Sequence, residues 1–134
     1  MTPRLRFRIR FSERFWVGIG KIELLEGIEA TGSLVRAARS MDMSYRRAWL
    51  LLHALNTNFD EPVAIAKTGG RAGGGATLTP FGRNLVASYR ALEVKVNGTA
   101  AEFFKAYGRH FRAVEPPRAK STVKKRVKKK SAGG

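Results

Sequence analysis

The sequence predicts an α+β chain, mostly helical, that ends in a disordered basic tail. Three observations predict it. Apolar residues recur at three- and four-residue steps through most of residues 19–111. Strand-like segments occur at residues 5–11 and on both sides of a glycine-rich run, where five glycines fall within residues 69–75. Residues 116–134 carry eight basic residues, no acid and little that could pack.

The elements follow in order. In "LRFRIRF", Leu5, Phe7, Ile9 and Phe11 alternate with Arg6, Arg8 and Arg10. Period two gives one apolar and one cationic face, hence a strand. "WVGIGKIELLEGIEATGS" places Ile19, Ile22, Leu25 and Ile28 at three-residue steps, an amphipathic helix stopped by Gly32. Glu23, Glu26 and Glu29 fall on its solvated face. Ser33 caps "LVRAARSMD", whose stripe is Leu34, Ala37, Ala38 and Met41. Its small residues admit a close neighbour. Asp42 and Met43 turn the chain, and Ser44 caps "YRRAWLLLHALN". There Tyr45, Ala48, Trp49, Leu52 and Leu55 are assigned to one face, with Trp49 in the core and Tyr45 divided between core and surface.

Beyond "NTNFDEP" the character changes. "VAIAKT", the glycine run and "ATLT" predict a hairpin with a long tip. Thr79 caps a long helix with Pro80 in its first turn, where the missing N–H costs nothing. Phe81, Leu85, Tyr89, Leu92 and Val96 form its stripe. Asn97-Gly98 bends or ends it, and residues 100–111 continue as a further helical piece. Residues 1–115 form the folded domain and residues 116–134 the tail. A short helix turning into a second fits a helix-turn-helix or any small helical bundle, and a hairpin after it is the winged-helix arrangement. The strand at residues 5–11 is expected to complete a small sheet with the hairpin.

Composition narrows the chemistry. There is no Cys, which excludes disulfides and thiolate metal sites and is compatible with a reducing compartment. No apolar run approaches the ~20 residues a membrane span needs, and the N-terminus has no continuous apolar stretch of the signal-peptide kind. Lys and Arg total 26 against 10 acids, a net charge of +16. With the eight tail charges set aside, residues 1–115 still carry +8. Such an excess costs self-repulsion unless a polyanion neutralises it. The only histidines are His53 and His110, with no acid grouping that suggests a metal or catalytic site. The glycine run lacks the Gly-Lys-Ser/Thr ending at a helix start that a P-loop requires, so an enzyme is not expected.

"GSLVRAARSMDMSYRRAW" (residues 32–49) and "KTGGRAGGGATLTPFG" (residues 67–82) resemble the N-terminal DNA-binding domain of the ModE family of molybdate-responsive transcriptional regulators. The resemblance covers residues 5–92. The first segment is also similar to helix-turn-helix segments of LysR-type regulators. The resemblance implies a winged helix-turn-helix, a recognition helix (residues 44–56) in the major groove, a wing (residues 67–77) on the backbone or minor groove, and a dimerisation helix (residues 80–112). It further implies a homodimer on palindromic duplex DNA in the bacterial cytoplasm, associated with the nucleoid. The family's C-terminal molybdate-binding module has no counterpart in these residues, so no cofactor and no molybdate binding are expected of them.

On that reading, Ser44, Tyr45, Arg46 and Arg47 occupy the first turns of the recognition helix, where side chains meet base edges. Ser33 and Arg36 open the preceding helix, whose N–H groups suit a phosphate. Lys67, Thr68 and Arg71 flank the glycines and are expected on phosphate or in the minor groove. In the tail, Lys124, Lys125, Arg126, Lys128, Lys129 and Lys130 are expected to meet phosphates without reading sequence. The arginines of residues 5–11 are weaker candidates, because edge strands carry charge simply to block aggregation. The alternative is an architectural, nucleoid-type protein with weak sequence preference, driven by the lysine tail.

Overall fold

The computed structural model describes residues 2–67 and 75–115. These form a mixed α/β structure of five helices and two small sheets. The chain opens with a hairpin of β1 (Arg8–Arg10) and β2 (Trp16–Gly18). Three helices follow: α1 (Ile19–Thr31), α2 (Leu34–Ser40) and α3 (Tyr45–Asn58). A second hairpin, β3 (Ala64–Lys67) and β4 (Gly75–Leu78), leads into α4 (Pro80–Thr99) and α5 (Ala101–Gly108). No helix of the described residues is long and apolar enough to cross a membrane.

The expected joint sheet does not form. β1 pairs antiparallel with β2, in the register Arg8 with Gly18 and Arg10 with Trp16, and β3 with β4 make a sheet of their own. Residues 16–18, grouped with the helix by sequence, are strand. The reason is local. Ser12 Oγ accepts the Phe15 N–H at 3.1 Å and the Phe11 N–H donates to the Phe15 carbonyl at 2.9 Å, closing a tight turn. A partner a few residues away costs little loop-closure entropy, so it wins over one more than fifty residues on.

Three helix starts behave as the sequence predicts. Ser33, Ser44 and Thr79 accept the N–H groups of Arg36, Arg47 and Gly82 at 3.0–3.1 Å. Each such cap is worth about 1 kcal/mol. Gly32 ends α1 in the left-handed region at φ 71°, its N–H on the Ile28 carbonyl at 2.7 Å. Asp42, at φ 56°, turns the chain between α2 and α3.

The core gathers Val17, Ile22, Leu24, Leu25, Ile28, Leu55 and Val63, all fully buried. Burying one such side chain contributes about 1.5–3 kcal/mol. Ala37 and Ala38 of α2 are buried as well, and Ala37 lies against Gly27 of α1, so the small-residue face admits close approach as predicted. Phe11, Phe15, Phe59 and Phe81 form an aromatic cluster with centroids 5.4–6.0 Å apart, joining the first hairpin to the start of α4. Gly82 is required there: a Cβ would run into the Val63 carbonyl oxygen. Asn56 of α3 accepts the Val63 N–H at 2.7 Å and donates to the Ala64 carbonyl at 3.1 Å, fixing β3 beneath that helix.

Two side-chain assignments are corrected. Glu26 and Glu29 are not an idle solvated face. Arg90 of α4 binds Glu26 through two bonds of 2.9 Å, and Arg83 binds Glu29 at 3.3 Å. Trp49 is not in the core: it is 44% exposed and stacks on His53 at 4.7 Å. The inward face of α3 holds Ala48 and Leu55, with Leu51 and Leu52 half-buried. These residues join the core cluster, while Trp49 stays outside it.

The N-terminal segment lies along α4. Asn97 Oδ1 accepts the Leu5 N–H at 2.6 Å, Tyr89 Oη donates to the Phe7 carbonyl at 2.8 Å, and the Phe7 and Tyr89 rings stack at 5.1 Å. Glu93, buried, accepts from Arg90 at 2.7 Å, with Arg4 at 3.8 Å.

Candidate nucleic-acid interface

The α2–turn–α3 unit is built from its caps and its turn. The Ala38 carbonyl accepts the N–H groups of Met41 and Met43 at 3.0 and 2.9 Å, and Ser44 then opens α3. The first turn of α3 therefore presents Tyr45, Arg46 and Arg47 outward, with Tyr45 53% exposed. Neither Arg46 nor Arg47 forms an ion pair among the described residues. Arg36 is exposed in the first turn of α2. The Ser33 hydroxyl oxygen accepts the Arg36 N–H at 3.1 Å as the cap of α2.

The second hairpin is tied to this unit. The Ala76 N–H donates to the Gly32 carbonyl at 2.9 Å, directly before Ser33. The base of β3–β4 is thereby anchored beside the start of α2. Lys67 is the last residue of β3, its backbone paired with Gly75. Thr68 and Arg71 lie outside the described residues, as do Lys124, Lys125, Arg126, Lys128, Lys129 and Lys130.

The structure also brings the strand arginines, weaker candidates by sequence, and Lys21, which the sequence did not single out, beside Arg47. Arg47 shares a groove of about 430 Å³ with Arg6, Arg8 and Lys21. Arg8 lies over the Trp16 ring at 4.2 Å. Lys21 Nζ donates to the Trp16 carbonyl at 2.9 Å. Burial, and then the positive charges of Arg47 and Arg8, pull the Lys21 pKa below its usual range. The period-two alternation of residues 5–11 already put the arginines on one face. What it could not show was that this face opens toward α3.

Among the described residues no group of three or more His, Asp or Glu side chains is placed to hold a metal ion. The side chains gathered around the groove are cationic, and no acid is among its lining residues.

No family model matches the chain. It is 47% identical over 75 residues to the molybdenum transport protein ModE of Azotobacter vinelandii, a match covering 56% of this chain and 28% of that protein. It is 42% identical over 90 residues to the molybdenum-pterin-binding protein MopB of Rhodobacter capsulatus, covering 67% and 33%. To the DNA-binding transcriptional dual regulator ModE of Escherichia coli K12 it is 28% identical over 92 residues, covering 69% and 35%. The chain thus spans about a third of the length of the relatives it matches. Over more than half of its own length, the chain is related to the ModE and Mop proteins.

Proposed function

We propose that the chain is the DNA-binding part of a transcriptional regulator of ModE type, a winged helix-turn-helix that binds duplex DNA as a homodimer. The observation that carries this reading is the first turn of α3. A serine-capped helix, set by a short turn against a small-residue helix, holds Tyr45, Arg46 and Arg47 exposed, with both arginines outside any ion pair among the described residues. An arginine so placed can bind a guanine edge bidentately, worth about 1–3 kcal/mol of discrimination. Transcriptional regulators among the relatives support the same reading.

In this proposal α3 is the recognition helix and the hairpin with its glycine-rich tip is the wing, with Lys67, Thr68 and Arg71 on the backbone. Arg36 adds a phosphate contact beside Ser33. Helices α4 and α5 carry the dimer contact. Val94, Phe103 and Tyr107 on these helices and Phe111 just beyond α5 are each 61–74% exposed, and a run of exposed apolar side chains of this size suits a protein partner. The tail supplies sequence-independent attraction. The proposal assigns these residues no molybdate site and no catalytic activity.

Selection of bound duplexes from a random DNA pool tests the proposal. The expected result is enrichment of a palindromic site whose preference weakens roughly tenfold or more in Arg46→Ala or Arg47→Ala. Equal affinity for all sequences, lost on removal of residues 116–134, would replace it with the architectural reading.

A further inference from the structure

The groove beside α3 carries more positive charge than the fold requires. Arg6 and Arg8 come from the N-terminal strand segment, Lys21 from the first turn of α1, and Arg47 from the first turn of α3. No Asp or Glu lines this groove. None of the four cations takes part in an ion pair among the described residues, whereas Glu26, Glu29 and Glu93 are engaged by Arg90, Arg83 and Arg4. Those three acids are drawn to α4, and with no acid in its lining the groove is left uncompensated.

Two of the four cations are also positioned. Arg8 is held over Trp16 and Lys21 is hydrogen-bonded to the Trp16 carbonyl, so one aromatic residue of β2 orients two of the charges. Like charges brought together repel, and after burial, the larger cause, Arg47 and Arg8 add to the lowering of the Lys21 pKa. Such an arrangement is relieved by an anion that enters between them. Arg6, Arg8 and Arg47 are all exposed, so the anion need not be small or enclosed. An extended polyanion fits better, because its charges repeat along a line.

We infer that this groove seats the phosphate backbone of the DNA duplex that α3 reads, so that the contact surface extends from α3 across to the first hairpin. The inference rests on the proposed function, since Arg47 belongs to both surfaces. The arginines of the first strand are then backbone contacts rather than guards against aggregation. Contacts of this kind fix register and orientation without carrying sequence information.

The test is the salt dependence of binding to a labelled random-sequence duplex, measured for the wild-type chain, Arg6→Gln/Arg8→Gln and Arg8→Lys. Each phosphate contact contributes a slope of about 0.9 in log affinity against log salt, so the double variant should lower the slope by about 1.8. Arg8→Lys keeps the charge and should keep the wild-type slope, which separates lost charge from lost folding. The site preference obtained by selection should not change. A double variant with the wild-type slope would overturn the inference and leave the proposed function standing. A wild-type chain that fails to bind the duplex at all would overturn both.

Discussion

Replacing Arg90 with Met tests whether the ion-pair clamp on α4 holds the domain together. Methionine keeps most of the apolar stem and removes the guanidinium. Three bonds are lost, two of 2.9 Å to Glu26 and one of 2.7 Å to Glu93. They are not equal. The Glu26 side chain is 38% exposed and water can replace its partner, so that arm is worth about 0.5 kcal/mol. The Glu93 side chain is 12% exposed and keeps only Arg4, at 3.8 Å. Leaving a buried charged acceptor without its main donor costs about 1.5–3 kcal/mol. The sum is about 2–3.5 kcal/mol, a large fraction of the ~5–15 kcal/mol that keeps a small domain folded.

Urea unfolding followed by circular dichroism measures it. The midpoint should fall by about 1–2 M at unchanged slope. Most of the cost belongs to the stranded Glu93 charge, so adding Glu93→Gln to Arg90→Met should recover more than half of the loss. A loss below about 0.5 kcal/mol would show that the clamp is a surface pair of little consequence. A double variant no better than Arg90→Met would show that Glu93 is not the source of the cost.

Two further predictions concern α4. Tyr89→Phe removes the hydrogen bond to the Phe7 carbonyl and should cost about 1 kcal/mol at neutral pH. Burial, and then Glu93, raise the Tyr89 pKa above 10.0, so the folded state keeps a proton that the unfolded chain releases. Wild-type stability should therefore fall as pH rises above that value, and the loss is read as the difference between wild type and Tyr89→Phe, in which the opposite contribution of Lys21 cancels. Gly82→Ala forces a methyl group against the Val63 carbonyl and should cost about 2–3 kcal/mol. Gly98→Ala, whose added carbon meets no packing neighbour within 4 Å among the described residues, should gain about 0.5–1 kcal/mol, and thermal melting of the pair checks both signs.

The parts of the fold legible in sequence are those set by local chemistry. Ser33, Ser44 and Thr79 mark helix starts because a hydroxyl there meets an N–H three residues on, and Gly32 marks a stop because only glycine takes φ 71° freely. The break near Asn97 and Gly98 is likewise visible, with α4 ending at Thr99. What was not legible depended on distant partners. Glu26 looks solvated until Arg90, sixty-four residues later, is folded onto it. The strand at residues 8–10 shows its own periodicity but not its partner, and the nearby Trp16–Gly18 run was masked by the helix that follows it. The cationic groove was hidden for the same reason, since Arg6, Lys21 and Arg47 meet only in three dimensions.

Helix α3 shows why a misplaced face can still inform function. At about 100° per residue, Ala48, Leu51, Leu52 and Leu55 fall within one sector, and Trp49 lies about a quarter turn away from Ala48. Leu50, Leu51 and Leu52 are consecutive, so hydrophobicity alone cannot choose the inward side. Packing chooses it, because the core cluster takes Ala48, Leu51, Leu52 and Leu55. The choice leaves Tyr45, Trp49 and Leu50 44–53% exposed beside Arg46 and Arg47. A helix that only faced water would gain nothing from an indole, a phenol and a leucine on its outer side, and would carry an aggregation hazard. A helix that enters a DNA groove has a use for both kinds of group. Its arginines match guanine edges, and its apolar side chains match thymine methyl groups. The excess of apolar residues that obscured the core face in the sequence is, under the proposed function, the material of the reading face.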